Sequence, residues 1–134
     1  MSSYERKIAR AADALEKGRL DDAERLLSSV LGNHPKNADA HNLRALTLLQ
    51  RRDMARALEH ARMAVELAPD NYRFRGNLGA ALMIAGRLDD AAIHLDQAVA
   101  AAPDYPLARR QRGMLHAGFE RFAEAASDLS VAVK

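Results

Sequence analysis

Several residue types are missing or scarce in this chain of 134 residues, and each absence excludes a class of protein. There is no cysteine, which excludes disulfides, thiolate metal sites and cysteine nucleophiles together. There is no tryptophan, and Phe and Tyr number three each. Because strands favour aromatic and β-branched residues, this composition argues against a β-sheet protein.

Long apolar runs are absent as well. A helix that crosses a membrane needs about 18 or more consecutive apolar residues, and no segment approaches that length. The segment from Met1 to Lys7 has no apolar stretch, so no secretory leader is predicted. We therefore expect a soluble, cytoplasmic protein with no membrane partner.

The chain also lacks a strong excess of either charge, since it has 20 basic and 18 acidic residues and a net charge of +2. Binding of single-stranded nucleic acid combines basic grooves with exposed aromatic side chains, and aromatic residues are few here. Acidic residues are interspersed throughout the chain, so no nucleic-acid partner is predicted. Two arginine clusters are the features that a nucleic-acid interpretation would use: Arg44, Arg51, Arg52 and Arg56, and Arg109, Arg110 and Arg112.

Alanine is what the chain has in abundance, with 28 residues. Alanine has the highest helix propensity of all residues and allows helices to approach closely. The composition therefore predicts an all-α protein whose helices pack over small side chains.

The sequence repeats with a period of 34 residues. Pro35, Pro69 and Pro103 are each 34 positions apart, and the hexapeptide Gly-Arg-Leu-Asp-Asp-Ala occurs at 18–23 and again at 86–91, two periods later. The alanine that closes this window recurs in all four repeats, as Ala23, Ala57, Ala91 and Ala125. A fixed period of this length is typical of stacked supersecondary units.

Each repeat has the signals of a helix pair. Gly18 and Gly86 can take the left-handed conformation that ends a first helix, and a second helix follows with apolar residues at three- and four-residue spacing. Proline then stops the second helix, because it disfavours helix at the residue before it. At the front of the chain, Ser2 and Glu5 predict a capping box.

These columns resemble the tetratricopeptide repeat, whose pattern is Trp-x2-Leu-Gly-x2-Tyr, Ala-x3-Phe and Pro. Residues 75–103 fit best, with Leu78-Gly79, Ala91-x3-Leu95 and Pro103. The resemblance implies a right-handed α-solenoid of about four helix-turn-helix repeats and about eight antiparallel helices. It also implies a single domain, 1–134, with repeats 4–37, 38–71, 72–105 and a truncated 106–134.

The resemblance further implies a concave groove lined by the first helices, which holds an extended peptide or a helix of another protein. The columns that face this groove in the family carry over to this chain as predicted ligand residues. Those residues are Glu5, Asp39, Asn42, Leu46, Arg73, Asn77, Arg110, Gln111 and Met114.

The predicted groove is polarised, with Glu5 and Asp39 towards one end and Arg73 and Arg110 towards the other. One interpretation is a ligand with an acidic or carboxylate-bearing part near the arginines; the other is that the charges only solvate an open surface. Asn77 occupies a position where family members often use an asparagine to bond the ligand backbone. The family's chaperone-binding carboxylate clamp is not predicted. Only Arg73 keeps a suitable basic residue of the clamp, and the other basic and amide positions of the clamp are not reproduced.

No catalytic, cofactor or metal site is predicted. The paired acidic residues Asp21-Asp22 and Asp89-Asp90 stand where second helices begin and favour the helix dipole. The five histidines are expected to lie on the surface, since His60 and His94 occupy equivalent positions of adjacent repeats and are too far apart to share an ion. The histidines are His34, His41, His60, His94 and His116.

We expect a scaffold or adaptor of bacterial style rather than an enzyme. Alternatives are the non-catalytic region of a larger glycosyl- or sulfotransferase, and a secretion or pilus-assembly chaperone. Leu129, Val131 and Val133 lie near the last residue with no capping helix after them. Three explanations fit this end: continuation into a larger protein, self-association, or a last helix that is sufficiently amphipathic to stand alone.

Overall fold

A computed structural model describes residues 1–118, and every regular element in that range is an α-helix. The seven helices are α1 (Ser3–Glu16), α2 (Leu20–Asn33), α3 (Ala38–Gln50), α4 (Met54–Leu67), α5 (Tyr72–Ile84), α6 (Leu88–Ala101) and α7 (Pro106–Gly118). The second helices of successive pairs begin at residues 20, 54 and 88, which follows the 34-residue period of the sequence.

The helices fall into two compact units, which we call the first unit (Met1–Pro69) and the second unit (from Asp70, described to residue 118). In the first unit α1 packs on α2, α3 packs on α4, and α3 also contacts both α1 and α2. In the second unit α5, α6 and α7 contact one another in the same way. Thus α1 lies beside α3, and α5 lies beside α7, so the first helices of consecutive pairs are neighbours.

The turn inside a helix pair depends on a left-handed residue. Gly18 and Gly86 have φ of 75° and 79°, a region that glycine adopts without steric cost. Beyond Gly18, Arg19 donates its backbone N–H to the carbonyl of Ala14 at 2.7 Å, which closes the end of α1. The predicted role of both glycines is confirmed.

Arg52 occupies the same position in the turn between α3 and α4. Its φ is 62°, and Asp53 donates its backbone N–H to the carbonyl of Leu48 at 2.9 Å. A residue with a Cβ is strained in this region by about 1–2 kcal/mol. The geometry of the repeat therefore imposes a left-handed turn even where glycine is missing.

Polar side chains cap the first helices. Ser2 accepts from the backbone N–H of Glu5 at 3.2 Å, and the Glu5 carboxylate accepts from the backbone N–H of Ser2 at 3.3 Å, so the predicted capping box is confirmed. Asn37 and Asn71 cap α3 and α5 in the same sense, with side-chain oxygens that accept from backbone N–H groups of the first turn.

Alanine and leucine form the core between the helices. In the first unit one cluster consists of Ala11, Leu26, Leu27, Val30 and Ala40. In the second unit Leu78, Leu82 and Leu95 are almost completely buried. Burial of one such leucine stabilises the folded chain by about 1.5–3 kcal/mol. A small number of large side chains, packed between small ones, therefore stabilises each unit.

Gly79 shows why small residues recur at the helix crossings. A Cβ at this position would lie 2.7 Å from both Cγ and Cδ2 of Leu95, which is fully buried on α6. The backbone of α5 thus lies against a leucine side chain of α6, and no side chain fits between them.

The predicted all-α fold of tetratricopeptide-type helix pairs is confirmed, with seven helices described. The second helix of the fourth repeat, including Leu129, Val131 and Val133, lies outside the described residues. The division into a single domain with four repeats, at the boundaries given above, stays a prediction. Within residues 1–118 no helix is both long enough and apolar enough to span a bilayer.

Candidate functional site

The predicted ligand residues of the first unit lie on α1 and α3. Glu5 is exposed, but its carboxylate is engaged with Ser2 in the capping box, so its first role is to start α1. Asp39 is exposed in the first turn of α3, and Asn42 is half-buried one turn later.

Leu46, the fourth of these residues, is partly a core residue. It is half-buried and packs against the cluster of Ala14, Leu15 and Ala23. An aliphatic side chain in this position supports α3 against α1 and α2 and leaves only part of its surface for a ligand.

In the second unit the predicted ligand residues lie on α5 and α7, which are neighbours. Arg73 and Arg110 are exposed, while Asn77 and Gln111 are half-buried. Met114 is 53% exposed on α7 and is one of six large apolar side chains that lie exposed among the described residues.

A cavity of about 430 Å³ lies at the N-terminal ends of α5 and α7. We call it the tyrosine cavity, and it is lined by Tyr72, Arg73, Ala102, Pro103, Asp104, Tyr105 and Pro106. It therefore combines two phenol rings and two prolines with one cationic and one anionic side chain. Arg73 is the predicted ligand residue that lines it.

The two tyrosines hold each other in an edge-to-face contact, with ring centroids 5.0 Å apart and an interplanar angle of 72°. The guanidinium carbon of Arg73 lies 5.8 Å from the centre of the Tyr72 ring, within cation–π range. Tyr105 packs on the backbone of α5 at Gly76, where a Cβ would lie 3.0 Å from the ring. The cavity wall is therefore built from contacts inside the second unit.

The hydroxyl of Tyr105 remains a hydrogen-bond donor at neutral pH. Burial raises the pKa of Tyr105 above its ordinary 10.0, while the positive charge of Arg73 acts in the opposite direction. A neutral phenol beside a guanidinium offers donors to a carboxylate or to a peptide carbonyl.

Sequence reasoning missed Tyr72 and Tyr105. The signal that could have found them is their place in the repeat, because Tyr72 opens α5 and Tyr105 directly precedes α7. Two aromatic residues at the starts of neighbouring first helices predict a ring contact, in a chain with only three tyrosines.

The expectation that the histidines lie on the surface was wrong for two of them. His41 and His116 are 3% and 5% exposed. His60 lies against His41, with their Nδ1 atoms 3.0 Å apart, because positions 41 and 60 face each other across the α3–α4 pair. Among the described residues no group of three or more His, Cys, Asp or Glu side chains could hold a metal ion.

Most arginines of the two clusters are engaged with neighbouring groups. Arg51 forms ion pairs with Asp21 and Glu24 of α2, and Arg112 forms one with Asp96 of α6. Arg109 donates its Nε–H to the carbonyl of Pro103 at 2.6 Å. The ion pairs of Arg51 and Arg112 join neighbouring helices, and the bond of Arg109 holds the loop before α7, which weakens the nucleic-acid interpretation further.

Two tetratricopeptide repeat profiles match the sequence, one over residues 8–72 and the other over residues 48–115. The second covers half of the chain. The chain belongs to the tetratricopeptide repeat family. Tetratricopeptide repeats are in general non-catalytic modules that bind other proteins, so at this level the chain is a protein-interaction scaffold.

Solved tetratricopeptide structures share the fold. A crystal structure of MamA is 17% identical, has a TM-score of 0.84, and the match covers 98% of this chain and 77% of that one. MamA from Desulfovibrio magneticus RS-1, described from residue 41 to its end, is 19% identical with a TM-score of 0.83 over 98% of this chain and 74% of that one. At these identities the likeness shows the fold alone.

A further match is to a mutant of the Thermobaculum terrenum O-GlcNAc transferase. It is 25% identical with a TM-score of 0.81, over 87% of this chain and 23% of the transferase. The chain therefore spans less than a quarter of that enzyme. Among curated proteins no significant match to this chain was found.

Proposed function

We propose that the chain is a scaffold that holds an extended segment of another protein along the first helices of its repeats. In this proposal an acidic or carboxylate-bearing part of the segment lies at Arg73 and Arg110, and Asn77 bonds the backbone of the segment. The observation that carries the proposal is the tyrosine cavity, which lies beside Arg73 at the start of two neighbouring first helices.

The exposure of two arginines and their lack of ion pairs among the described residues support an anionic ligand. Arg73 and Arg110 are exposed, and neither forms an ion pair with another described residue, whereas Arg51, Arg56 and Arg112 each do. A guanidinium can donate two parallel hydrogen bonds to one carboxylate, which lysine cannot do. Within the predicted groove columns, Arg73 and Arg110 are the two cationic residues, and they are therefore the groove cations that can meet acidic residues of a partner.

The apolar part of the site supports an extended peptide rather than a small anion. The tyrosine cavity is large enough for one or two side chains, and its rings and prolines offer apolar and stacking surface. Met114 adds exposed apolar surface on α7, and methionine adapts to different partners. A ligand with an apolar residue close to an acidic one satisfies both halves of this surface.

A random peptide library displayed on phage tests the proposal. Selection on the immobilised wild-type chain should enrich peptides with Asp or Glu beside an apolar residue. The double variant Arg73→Glu, Arg110→Glu should bind the enriched peptides at least about tenfold more weakly, since a charged hydrogen bond contributes about 1.5–3 kcal/mol and 1.4 kcal/mol is a factor of ten.

The matched control is Arg6→Glu with Arg87→Glu. Both arginines are exposed at the starts of helices, and neither lies in a predicted groove column. The control makes the same change in net charge and should leave affinity within about twofold, because exposed charges at a distance are screened by salt. Equal weakening by both double variants, or enrichment of basic peptides by the wild type, contradicts the proposal.

A second candidate function is the non-catalytic repeat region of a larger transferase. The observation that favours it is the match to the Thermobaculum terrenum O-GlcNAc transferase, which covers 23% of that enzyme. The reading frame on either side of the chain decides the matter. A catalytic domain encoded in frame supports this candidate, and a stop codon directly after Lys134 with a start at Met1 contradicts it.

A further inference from the structure

Two histidines face each other inside the first unit, in a contact that no ligand-binding role explains. His41 of α3 is 3% exposed, and its Nδ1 lies 3.0 Å from the Nδ1 of the half-buried His60 of α4. The rings are nearly stacked, with centroids 5.3 Å apart and an interplanar angle of 25°. The other nitrogen of His41, Nε2, lies 2.7 Å from the carbonyl oxygen of Pro35.

The hydrogen-bond partners of the two rings determine which ring nitrogens carry a proton. A carbonyl oxygen only accepts hydrogen bonds, so the Nε2 of His41 carries a proton and donates it to Pro35. The Nδ1 of neutral His41 then accepts, and the Nδ1 of His60 donates. One added proton is tolerated, because a cationic His60 still donates to a neutral His41. A second added proton leaves two N–H groups and two positive charges facing each other at 3.0 Å.

The next helix pair has a corresponding contact with one fixed charge. Arg75 and His94 stand 34 positions after His41 and His60, and the Nη1 of Arg75 lies 3.4 Å from the Nδ1 of His94. The same Nη1 donates to the Oε1 of Gln97 at 2.5 Å. Since arginine is always charged, the Nδ1 of His94 must accept, which again limits the contact to one positive charge.

We propose that the His41–His60 pair is a pH-sensitive latch between α3 and α4, closed while the pair carries at most one added proton and open when both rings are charged. The latch would loosen the first unit on acidification, since the two Nδ1 atoms lose their hydrogen bond and repel each other. In the second unit the contact of Arg75 with His94 is likewise limited to one positive charge, which Arg75 carries.

The charges around the pair set the direction of the pH dependence. Burial lowers the pKa of His60 below its ordinary 6.5. The pKa is lowered further by Arg44 and His41 of α3 and by Arg56 of α4, whereas Glu59 of α4 raises it. The folded chain therefore binds a proton at His60 less tightly than the unfolded chain. Protonation of His60 therefore favours the unfolded chain as the pH falls below 6.5 through the folded pKa of His60. The hydrogen bond between the rings is kept at that stage and is lost only when the second ring is charged as well.

Urea unfolding between about pH 7.5 and about pH 5.5 tests the latch. The urea midpoint of the wild type should fall over this range. His60→Gln should remove about half of that fall or more, because an amide donates to His41 and cannot become charged. The matched control is His34→Gln, at an exposed histidine whose ring lies against Tyr4, and it should keep the fall of the wild type.

Nitrogen-detected NMR of the wild-type imidazoles gives a second measurement that does not depend on the variant folding. His41 should show the Nε2–H tautomer at about pH 7.5, and the two rings should not both become cationic while the chain remains folded. An Nδ1–H tautomer of His41 overturns the proposal. So does a folded chain with both rings charged, or an unchanged pH dependence in folded His60→Gln.

Discussion

Gly79→Ala should destabilise the chain through a single contact. The new Cβ would lie 2.7 Å from Cγ and Cδ2 of Leu95, closer than carbon atoms pack in protein interiors. Leu95 is fully buried, so in a close-packed interior its side chain can move only if neighbouring side chains move as well. Overpacking of this kind costs about 1–3 kcal/mol.

The helix propensity of alanine works in the opposite direction and has to be separated from the clash. Alanine is favoured over glycine inside a helix by about 1 kcal/mol, so the net effect of Gly79→Ala is smaller than the clash itself. Gly32→Ala is the matched control, since Gly32 also lies in a helix and nothing approaches within 4 Å of its added Cβ. The control should be neutral or stabilising, and the two variants should differ by about 1–3 kcal/mol.

The assay is urea unfolding followed by far-ultraviolet circular dichroism, with equal slopes required before midpoints are compared. The same substitution should also be made together with Leu95→Ala, which removes the atoms that clash. In that background Gly79→Ala should lose its cost, giving a coupling of about 0.5–3 kcal/mol in the double-mutant cycle. If Gly79→Ala stabilises the wild type as much as Gly32→Ala does, the close approach of α5 and α6 is wrong.

Three further predictions concern stability and use the same assay. Arg52→Gly should stabilise the chain by about 1 kcal/mol, because it relieves the left-handed strain that Gly18 and Gly86 avoid; a loss of stability would mean that the arginine side chain matters more than its backbone. Ser2→Ala should destabilise it by about 0.5–1 kcal/mol through loss of the capping box, whereas Ser28→Ala on the exposed face of α2 should not; equal effects would contradict the cap. Leu27→Ala should destabilise it by about 2–5 kcal/mol, and a cost below 1 kcal/mol would contradict its place in the core.

Local signals made most of the fold predictable from the sequence. The proline spacing, the glycines at 18 and 86 and the Ser2–Glu5 pair each act within a few residues, and the structure has helix ends at all of them. Contacts between helices were harder to predict. The repeat period relates His60 to His94, its equivalent in the next repeat, whereas its actual neighbour is His41, which faces it across the helix pair.

The candidate site was less predictable than the fold for a related physical reason. The repeat pattern records which residues pack helices together, and it does not record which side chains meet at their exposed ends. Tyr72 and Tyr105 contact each other only because both stand at the starts of neighbouring first helices. Glu5 illustrates the reverse case, since a position assigned to the groove also serves the capping box.

A photo-crosslinking measurement tests most directly whether the first helices bind the partner. Met114 on α7 and Ile93 on α6 are almost equally exposed, at 53% and 55%, but only Met114 lies in a predicted groove column. Benzoylphenylalanine is placed at either position, and the probe is the peptide most enriched from the phage library. The account predicts crosslinks to the peptide from position 114 and few or none from position 93. Crosslinks from position 93 alone would place the peptide on the second helices and contradict the account.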